Sequence, residues 1–479
     1  MIKQAVILAA GNGSRIQRSK ADVPKPLRKV CGLTLIKRSI LTAKQAGVTD
    51  FVIVVGYKGE QIIEALSKDE SLGVRLQFVT NSDYHKANGV SVLAAKPFVH
   101  KEFLLMMADH IFDKQALQKI VKESLSEQPV LLGIDRNMEE IFDLEDVTKV
   151  KVVGDQIVEI GKHLSDYNAY DTGIFACNAS LFEALESVYQ EKGDVSLSDG
   201  IRALAAVGRA GVSDLTDCFW QDVDTPEALR HAEKHLFQSL RKPTDGWISS
   251  RINRPISMAI SRILVKTPIT ANQVTFLVTL VGIMSGVFVA TGKYLDVVIG
   301  GVLFQMASIL DGCDGEISKL KMTSSKTGEW LDTISDNITY LVFLVGVSMG
   351  SHRILHGTFE VFEAAFMLVG LAFLLVLLVF YLLYHANSGT LTTIQKDLKE
   401  EDKKSQSAGG AFSWASKINF LMKRDFFALF FMLLCVIDQL PLILHLSFVG
   451  VNLTWMVILA YKRDIFKVGD SKVKVVEPN

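Results

Sequence analysis

The sequence predicts an α/β domain with a mostly parallel sheet, followed by an all-α domain of six membrane-crossing helices. Three observations predict this. Residues 1–245 have the composition of a soluble protein, whereas residues 270–461 are dominated by long apolar runs. In the first half, short apolar runs alternate with helical patterns, the βαβ rhythm of a sheet covered on both faces. In the second half the apolar runs approach the roughly twenty residues that a helix needs to cross a bilayer. The chain has 479 residues and a formal net charge of −1, so it is long enough for two or three domains and its composition implies no nucleic-acid partner. The five cysteines, at positions 31, 177, 218, 313 and 435, are scattered. With no C-x2-C pair they suggest neither a zinc site nor a disulfide framework and fit a reducing compartment. The opening residues, Met1 to Leu8, are too short for a secretory signal and run into a glycine loop. We find no internal repeat.

The first strand is expected at Ala5 to Leu8, and the loop after it carries Gly11 and Gly13. Two glycines let the backbone approach a phosphate and aim N–H groups at it. Arg15 and Lys25 follow as cations, and Pro24, Pro26 and Leu27 surround the lysine. The loop is neither a Walker A motif nor a G-x-G-x-x-G fingerprint. Further strands are expected at Phe51 to Val55, Leu76 to Val79, Phe103 to Met107 and Val130 to Gly133. Asn88 and Gly89 either face a nucleobase, whose edge needs short polar donors and acceptors, or form a plain β-turn. Lys149 and Lys162 either meet the phosphate of an acceptor or are simply solvated.

The pattern L-A-A-G-x-G-x-R followed by P-K-P-L resembles the nucleotidyltransferases that activate sugar phosphates and choline phosphate, over roughly residues 1–235. The resemblance implies a Rossmann-like fold in which Gly11, Gly13, Arg15 and Lys25 hold the triphosphate and stabilise departing pyrophosphate. It also implies a metal-binding acid after a buried strand, at Asp109. A second acid follows late in the domain, at Asp224 in preference to Asp222. Tyr170 to Gly173 resemble that family's loop near the acceptor, which assigns Thr172 and Gly173 to substrate binding. The two acids would hold Mg²⁺ (or Mn²⁺) against the α-phosphate during in-line attack.

Between the halves, Ile248, Ile252, Ile256, Ile260 and Leu264 recur every four residues, punctuated by Arg251, Arg254 and Arg262. This reads as a basic amphipathic segment over 241–269, lying in a membrane interface or packed as a linker helix. Thr270 is the expected N-cap of the first span. Spans are expected near 274–291, 295–311, 330–350, 361–384, 425–440 and 443–461, with Pro441 as the turn between the last two. Lys and Arg are concentrated in the loops that share a side with the N-terminal domain, which favours a cytoplasmic domain and tail. Residues 395–411 read as a flexible loop.

The most telling stretch runs from Asp311 through Asp314 and Gly315 to Gly328, Asp332 and Asp336. If each segment is helical, Asp311 and Asp314 share one face and Asp332 and Asp336 another. Four carboxylates at a membrane edge require positive partners. The natural ones are one or two divalent cations. The spacing resembles the signature of the CDP-alcohol phosphatidyltransferases, D-x2-D-G-x2-A-R-x8-G-x3-D-x3-D. One departure is that Ser318 and Lys319 stand for the family's Ala-Arg, and lysine lacks the bidentate fork. The resemblance implies Asp311, Asp314 and Asp332 as metal ligands, Asp336 as metal ligand or base, and a role for Lys319 at a phosphate. Lys423 and Arg424 read either as an inside-positive stop or as a phosphate clamp. A homodimer is implied by related membrane domains.

The pairing of the two halves resembles, over nearly the full length, the fused cytidylyltransferase and di-myo-inositol phosphate phosphate synthase family. That resemblance implies CTP and inositol 1-phosphate as substrates, a CDP-alcohol intermediate, and membrane lipid around the second domain. A lipid acceptor, or a different alcohol phosphate, remains open at this point.

Overall fold

The computed structural model describes residues 1–11, 23–123, 125, 128–138, 147–241, 245–381 and 424–461. It divides into two compact units, Met1–Gln238 and Ser239–Asn479. Gly13, Arg15, Lys423, the loop at 395–411 and the tail after 461 lie outside the described residues.

The first unit is built on a nine-stranded sheet. Its strands are β1 (Gln4–Ala9), β2 (Asp50–Val55), β3 (Arg75–Thr80), β4 (Phe103–Met107), β5 (Val130–Asp135), β6 (Lys149–Val153), β7 (Gln156–Gly161), β8 (Ala169–Cys177) and β9 (Ala210–Asp214). The spatial order is β3-β2-β1-β4-β8-β5-β9-β7-β6. The first four strands are mutually parallel, with Val6 between Val52 and Leu105. β1, β2 and β4 are continuous apolar runs because helices cover both faces. β8 then enters antiparallel to both β4 and β5, so the second half of the sheet is mixed. All five strands expected from the sequence form at their expected positions. Two helices matter for the site: α1 (Asn88–Ala94) and α2 (Pro226–Gln238). Asn88 and Gly89 open α1 instead of forming a β-turn.

The second unit is helical: α3 (Arg254–Leu264), α4 (Ala271–Ala290), α5 (Tyr294–Leu320), α6 (Lys326–Leu355), α7 (Phe359–Tyr381), α8 (Arg424–Val436) and α9 (Leu440–Tyr461). Among the described residues four helices, α4 to α7, are long and apolar enough to cross a membrane. α8 has only 13 residues. Thr270 caps α4 in a capping box with Gln273. α4 and α6 pack through small residues, with Gly286 against Gly346 and Gly282 against Thr339. Such contacts let backbones approach where lipid supplies no hydrophobic drive. The turn between α8 and α9 falls at residues 437–439, with Asp438 at φ 59°. Pro441 is not that turn. It sits in the first turn of α9, where its missing N–H costs nothing.

Candidate active sites

In the first unit, a short ribbon brings the acids together. His110–Phe112 pairs antiparallel with Trp220–Asp222, and His110 stands opposite Asp222. The loop after β4 is tied to β1 by the Ala108 N–H on the Leu8 carbonyl. Lys25 reaches the centre from a 3-10 turn that Pro24 and Pro26 pre-set. Its ammonium lies 2.6 Å from Asp109 Oδ2 and 3.3 Å from Asp222 Oδ1, and bonds Asp224 as well. His110 Nδ1 lies 2.9 Å from Asp109 Oδ1. Burial alone would raise the Asp109 carboxyl, but Lys25 and His110 hold it well below the usual carboxylate range. Burial likewise opposes the charged form of His110, yet Asp222 and Asp109 together raise it. Ligand atoms of Asp109, His110 and Asp222 all fall within 4.8 Å of one another. Three carboxylates face a single lysine, so the centre favours further positive charge, and its hard oxygen donors fit a divalent cation.

The remaining expected residues separate here. Among the described residues nothing lies within 4 Å of where a Cβ on Gly11 would sit. Gly89 is different, because a Cβ there would lie 2.5 Å from the Val195 carbonyl. Asn88 Oδ1 accepts the Leu197 N–H. Thr172 is fully buried and donates to the Gly133 carbonyl, so it shapes the strand and does not line the surface. Gly173, at φ 80°, leaves room for the His110 ring, 2.7 Å from its would-be Cβ. Asp171 accepts the Gly173 N–H and is pushed by burial up to about 6. The Lys149 ammonium sits 5.0 Å from the Tyr167 ring centroid, and Lys162 is exposed just past β7. His110 was not singled out from the sequence, and Asp222 was passed over in favour of Asp224, although both acids reach Lys25. The signal for His110 and Asp222 was adjacency, to Asp109 and to Asp224.

In the second unit, α5 carries Asp311 and Asp314 and α6 carries Asp332 and Asp336. Ligand atoms of Asp311, Asp314 and Asp332 fall within 4.8 Å of one another. Asp314 accepts from Thr275 Oγ1 of α4 at 2.5 Å. Arg424, at the start of α8, lies 3.1 Å from Asp311 Oδ1 and bonds Asp336. Its Nε is buried and has no hydrogen-bond partner among the described residues. The side chain is only 15% exposed, which a solvated topological stop would not require. Lys319 is exposed in the last turn of α5. The guanidinium pairs with two of the four carboxylates, and the clustered oxygens of Asp311, Asp314 and Asp332 suit a divalent metal.

Residues 5–205 match the model of the MobA-like NTP transferase domain, and residues 268–459 that of the CDP-alcohol phosphatidyltransferases. A bifunctional IPC transferase and DIPP synthase of Aquifex aeolicus is 36% identical over 351 residues, covering 73% of this chain and 78% of that protein. The chain belongs to the family of bifunctional IPC transferases and DIPP synthases. A Rubrobacter xylanophilus member is 34% identical over 351 residues, with 72% and 77% covered. The inositol-1-phosphate CTP transferase structure from T. maritima is 29% identical, with a TM-score of 0.44, and spans 49% of this chain and 94% of that one. The second match encloses Asp311, Asp314, Asp332, Asp336 and Arg424, whereas the first encloses Lys25, Asp109 and His110 and ends before Asp222 and Asp224. The chain thus carries a nucleotidyltransferase domain and a CDP-alcohol phosphatidyltransferase domain. The apolar helices of the latter make this a membrane protein.

Proposed function

We propose that the chain catalyses two consecutive transfers. In the first, a phosphate oxygen of inositol 1-phosphate attacks the α-phosphorus of CTP, and pyrophosphate leaves to give CDP-inositol. In the second, a hydroxyl of another inositol 1-phosphate attacks the inositol-bearing phosphorus of CDP-inositol, and CMP leaves to give di-myo-inositol phosphate phosphate. The supporting observation is that one chain of this family holds two separate carboxylate centres, each with a largely enclosed cation, Lys25 in one and Arg424 in the other. We assign 1–240 to the first reaction, 241–269 to a juxtamembrane linker and 270–479 to the second reaction.

Asp109, Asp222 and Asp224 would hold Mg²⁺ or Mn²⁺ in the first site, and Asp311, Asp314, Asp332 and Asp336 in the second. A bound divalent ion would neutralise charge building on the transferring phosphoryl group. Lys25 stabilises the leaving pyrophosphate together with Arg15, while Gly11 and Gly13 present N–H groups to the triphosphate. Asn88 and Gly89 border the base, and Gly173, Lys149 and Lys162 border the acceptor. In the second site Asp336 takes the proton of the attacking hydroxyl. Arg424, with an N–H unused, grips the acceptor's phosphate beside Lys423, and Lys319 faces the diphosphate from the end of α5. Direct in-line attack needs no covalent nucleophile.

Mass spectrometry of products from purified protein given CTP, Mg²⁺ and inositol 1-phosphate tests this reading. A water-soluble di-inositol product with CMP supports it. A labelled product that extracts into organic solvent instead assigns a lipid acceptor. We further infer six spans, cytoplasmic soluble domain and tail, and a homodimer through the helical domain. Labelling with an impermeant thiol reagent checks the orientation. Thr358→Cys, at an exposed position before α7, should label in intact cells and Ser324→Cys should be shielded, and the reverse pattern inverts the topology.

A further inference from the structure

A buried carboxylate and the partly buried arginine paired with it are left unused by both reactions. Glu316 lies two residues beyond Asp314 on α5, and its side chain is 1% exposed. Its Oε1 accepts from Arg254 Nη1 at 2.9 Å and from Ser257 Oγ at 2.7 Å. Arg254 Nε donates in turn to Asp245 Oδ2 at 3.2 Å. A carboxylate withdrawn from water costs several kcal/mol unless it is paired and hydrogen-bonded, so the fold places the pair at some expense. The pair also dictates how α3 docks. A Cβ on Gly312, the residue after Asp311, would lie 3.1 Å from Ser257 Oγ and 3.6 Å from Arg254 Nη1. Cys313 Sγ donates to the Ser257 carbonyl at 3.5 Å.

A second attachment joins α3 to α8. Asn253 Nδ2 donates to Asp425 Oδ1 at 3.3 Å, and Gln305 Nε2 of α5 donates to Asn253 Oδ1 at 3.0 Å. Asp425 is the neighbour of Arg424. A single short helix and the residue that precedes it therefore hold both the turn bearing Asp311 and Asp314 and the segment bearing the guanidinium that spans Asp311 and Asp336.

We propose that Arg254 and Glu316 are positioning residues for phosphotransfer, and that α3 is a brace fixing the rotation of α5 against α8. The inference rests on the Asp311–Asp336 cluster being the second active site. Apolar packing would tolerate a small rotation of α5, whereas two directional donors on one buried carboxylate do not. A shift of about 1 Å at the reacting groups costs about 10²-fold in rate.

The test uses the full-length protein in detergent, with supplied CDP-inositol and with CTP as separate assays. Glu316→Gln keeps an acceptor for Ser257 but removes the charge, and Arg254→Lys keeps the charge but removes the fork. Each should lower kcat for CMP release by about tenfold or more, move the KM for CDP-inositol far less, and leave pyrophosphate release unchanged. The double variant Arg254→Gln/Glu316→Gln should be no worse than the worse single, since coupled partners are not additive. In an Asp109→Ala background, Glu316→Gln should also weaken the residual Mn²⁺ binding seen by electron paramagnetic resonance. Normal CMP release in both singles overturns the brace. So does a parallel fall of both activities in every variant, which makes the pair a folding element only. If Asp332→Asn releases CMP normally, the active-site reading itself fails, and that result is distinct from a silent Glu316→Gln.

Discussion

In the N-terminal unit Lys25 meets Asp109, Asp222 and Asp224 across 84, 197 and 199 residues of chain. In the helical unit the four carboxylates come from neighbouring turns of two adjacent helices, and only Arg424 is remote, 88 residues from Asp336. The first centre is assembled at strand ends, from loops whose spacing carries no geometric meaning. The second is written in helical periodicity, where three or four residues apart means one face. The two centres otherwise use the same chemistry: several carboxylates, one largely enclosed cation and room for a divalent ion. The difference predicts how each should fail. A loop-built centre fails one ligand at a time, each on its own segment, whereas a helix-built centre cannot move one carboxylate without its neighbours.

The largest effects should come from removing one acid in each centre. Asp332→Asn should lower CMP release by roughly 10²–10³-fold or more, the cost of losing one group aimed at transition-state charge, and leave pyrophosphate release intact. Asp109→Ala should abolish pyrophosphate release and leave CMP release from supplied CDP-inositol intact. Any cross-effect measured in those paired assays breaks the picture of two independent centres. Asp336→Asn sharpens it: if Asp336 is chiefly the base, the variant should still bind CDP-inositol with Mn²⁺, while Asp332→Asn binds it poorly. Equal loss in equilibrium binding would leave Asp336 as a metal ligand alone.

A smaller effect is expected at Arg424. Arg424→Lys keeps the charge between Asp311 and Asp336 but loses the fork and the unused Nε N–H. The KM for the phosphorylated acceptor should rise about tenfold, the worth of one charge-assisted hydrogen bond, and the KM for CDP-inositol should rise less. Steady-state kinetics with each substrate varied separately decides this. An unchanged acceptor constant would return Arg424 to a helix-end charge.

The same contrast explains what the sequence made legible. The strands β1 to β5 could be placed because buried parallel strands are unbroken apolar runs, and the Asp311–Asp336 site because helices turn spacing into direction. The mixed second half of the sheet was not legible, since nothing in Ala169–Cys177 marks a strand that reverses direction between β4 and β5. His110 was hidden because only the ribbon pairing sets it opposite Asp222. Arg254 read as an interfacial charge because a helical wheel shows its face but not its partner. Its true setting needed Glu316, 62 residues away. Thr172 matched a motif, yet its side chain is turned into the sheet.

The smallest expected effect sharpens the loop-built centre from its edge. Asp171 is held by β8 next to Gly173, and burial raises its carboxyl to about 6 in the folded state, against the pull of the Gly173 N–H and His110. In the unfolded chain an aspartate titrates near 3.9. The folded value is the higher one, so this group's contribution to stability is fully present below about pH 4 and is lost as pH rises through 6. Asp171→Asn retains an oxygen to accept the Gly173 N–H and removes the ionisation. The variant should match the parent near pH 4 and exceed it above pH 6 by about 1 kcal/mol once partial exposure is allowed for. Denaturant unfolding of the soluble unit's signal in the full-length protein, followed across that window, reads the difference. A gap that is constant with pH would mean that Asp171 keeps an ordinary carboxyl. A variant less stable than the parent above pH 6 would mean that the charged carboxylate stabilises the β8 turn beside His110.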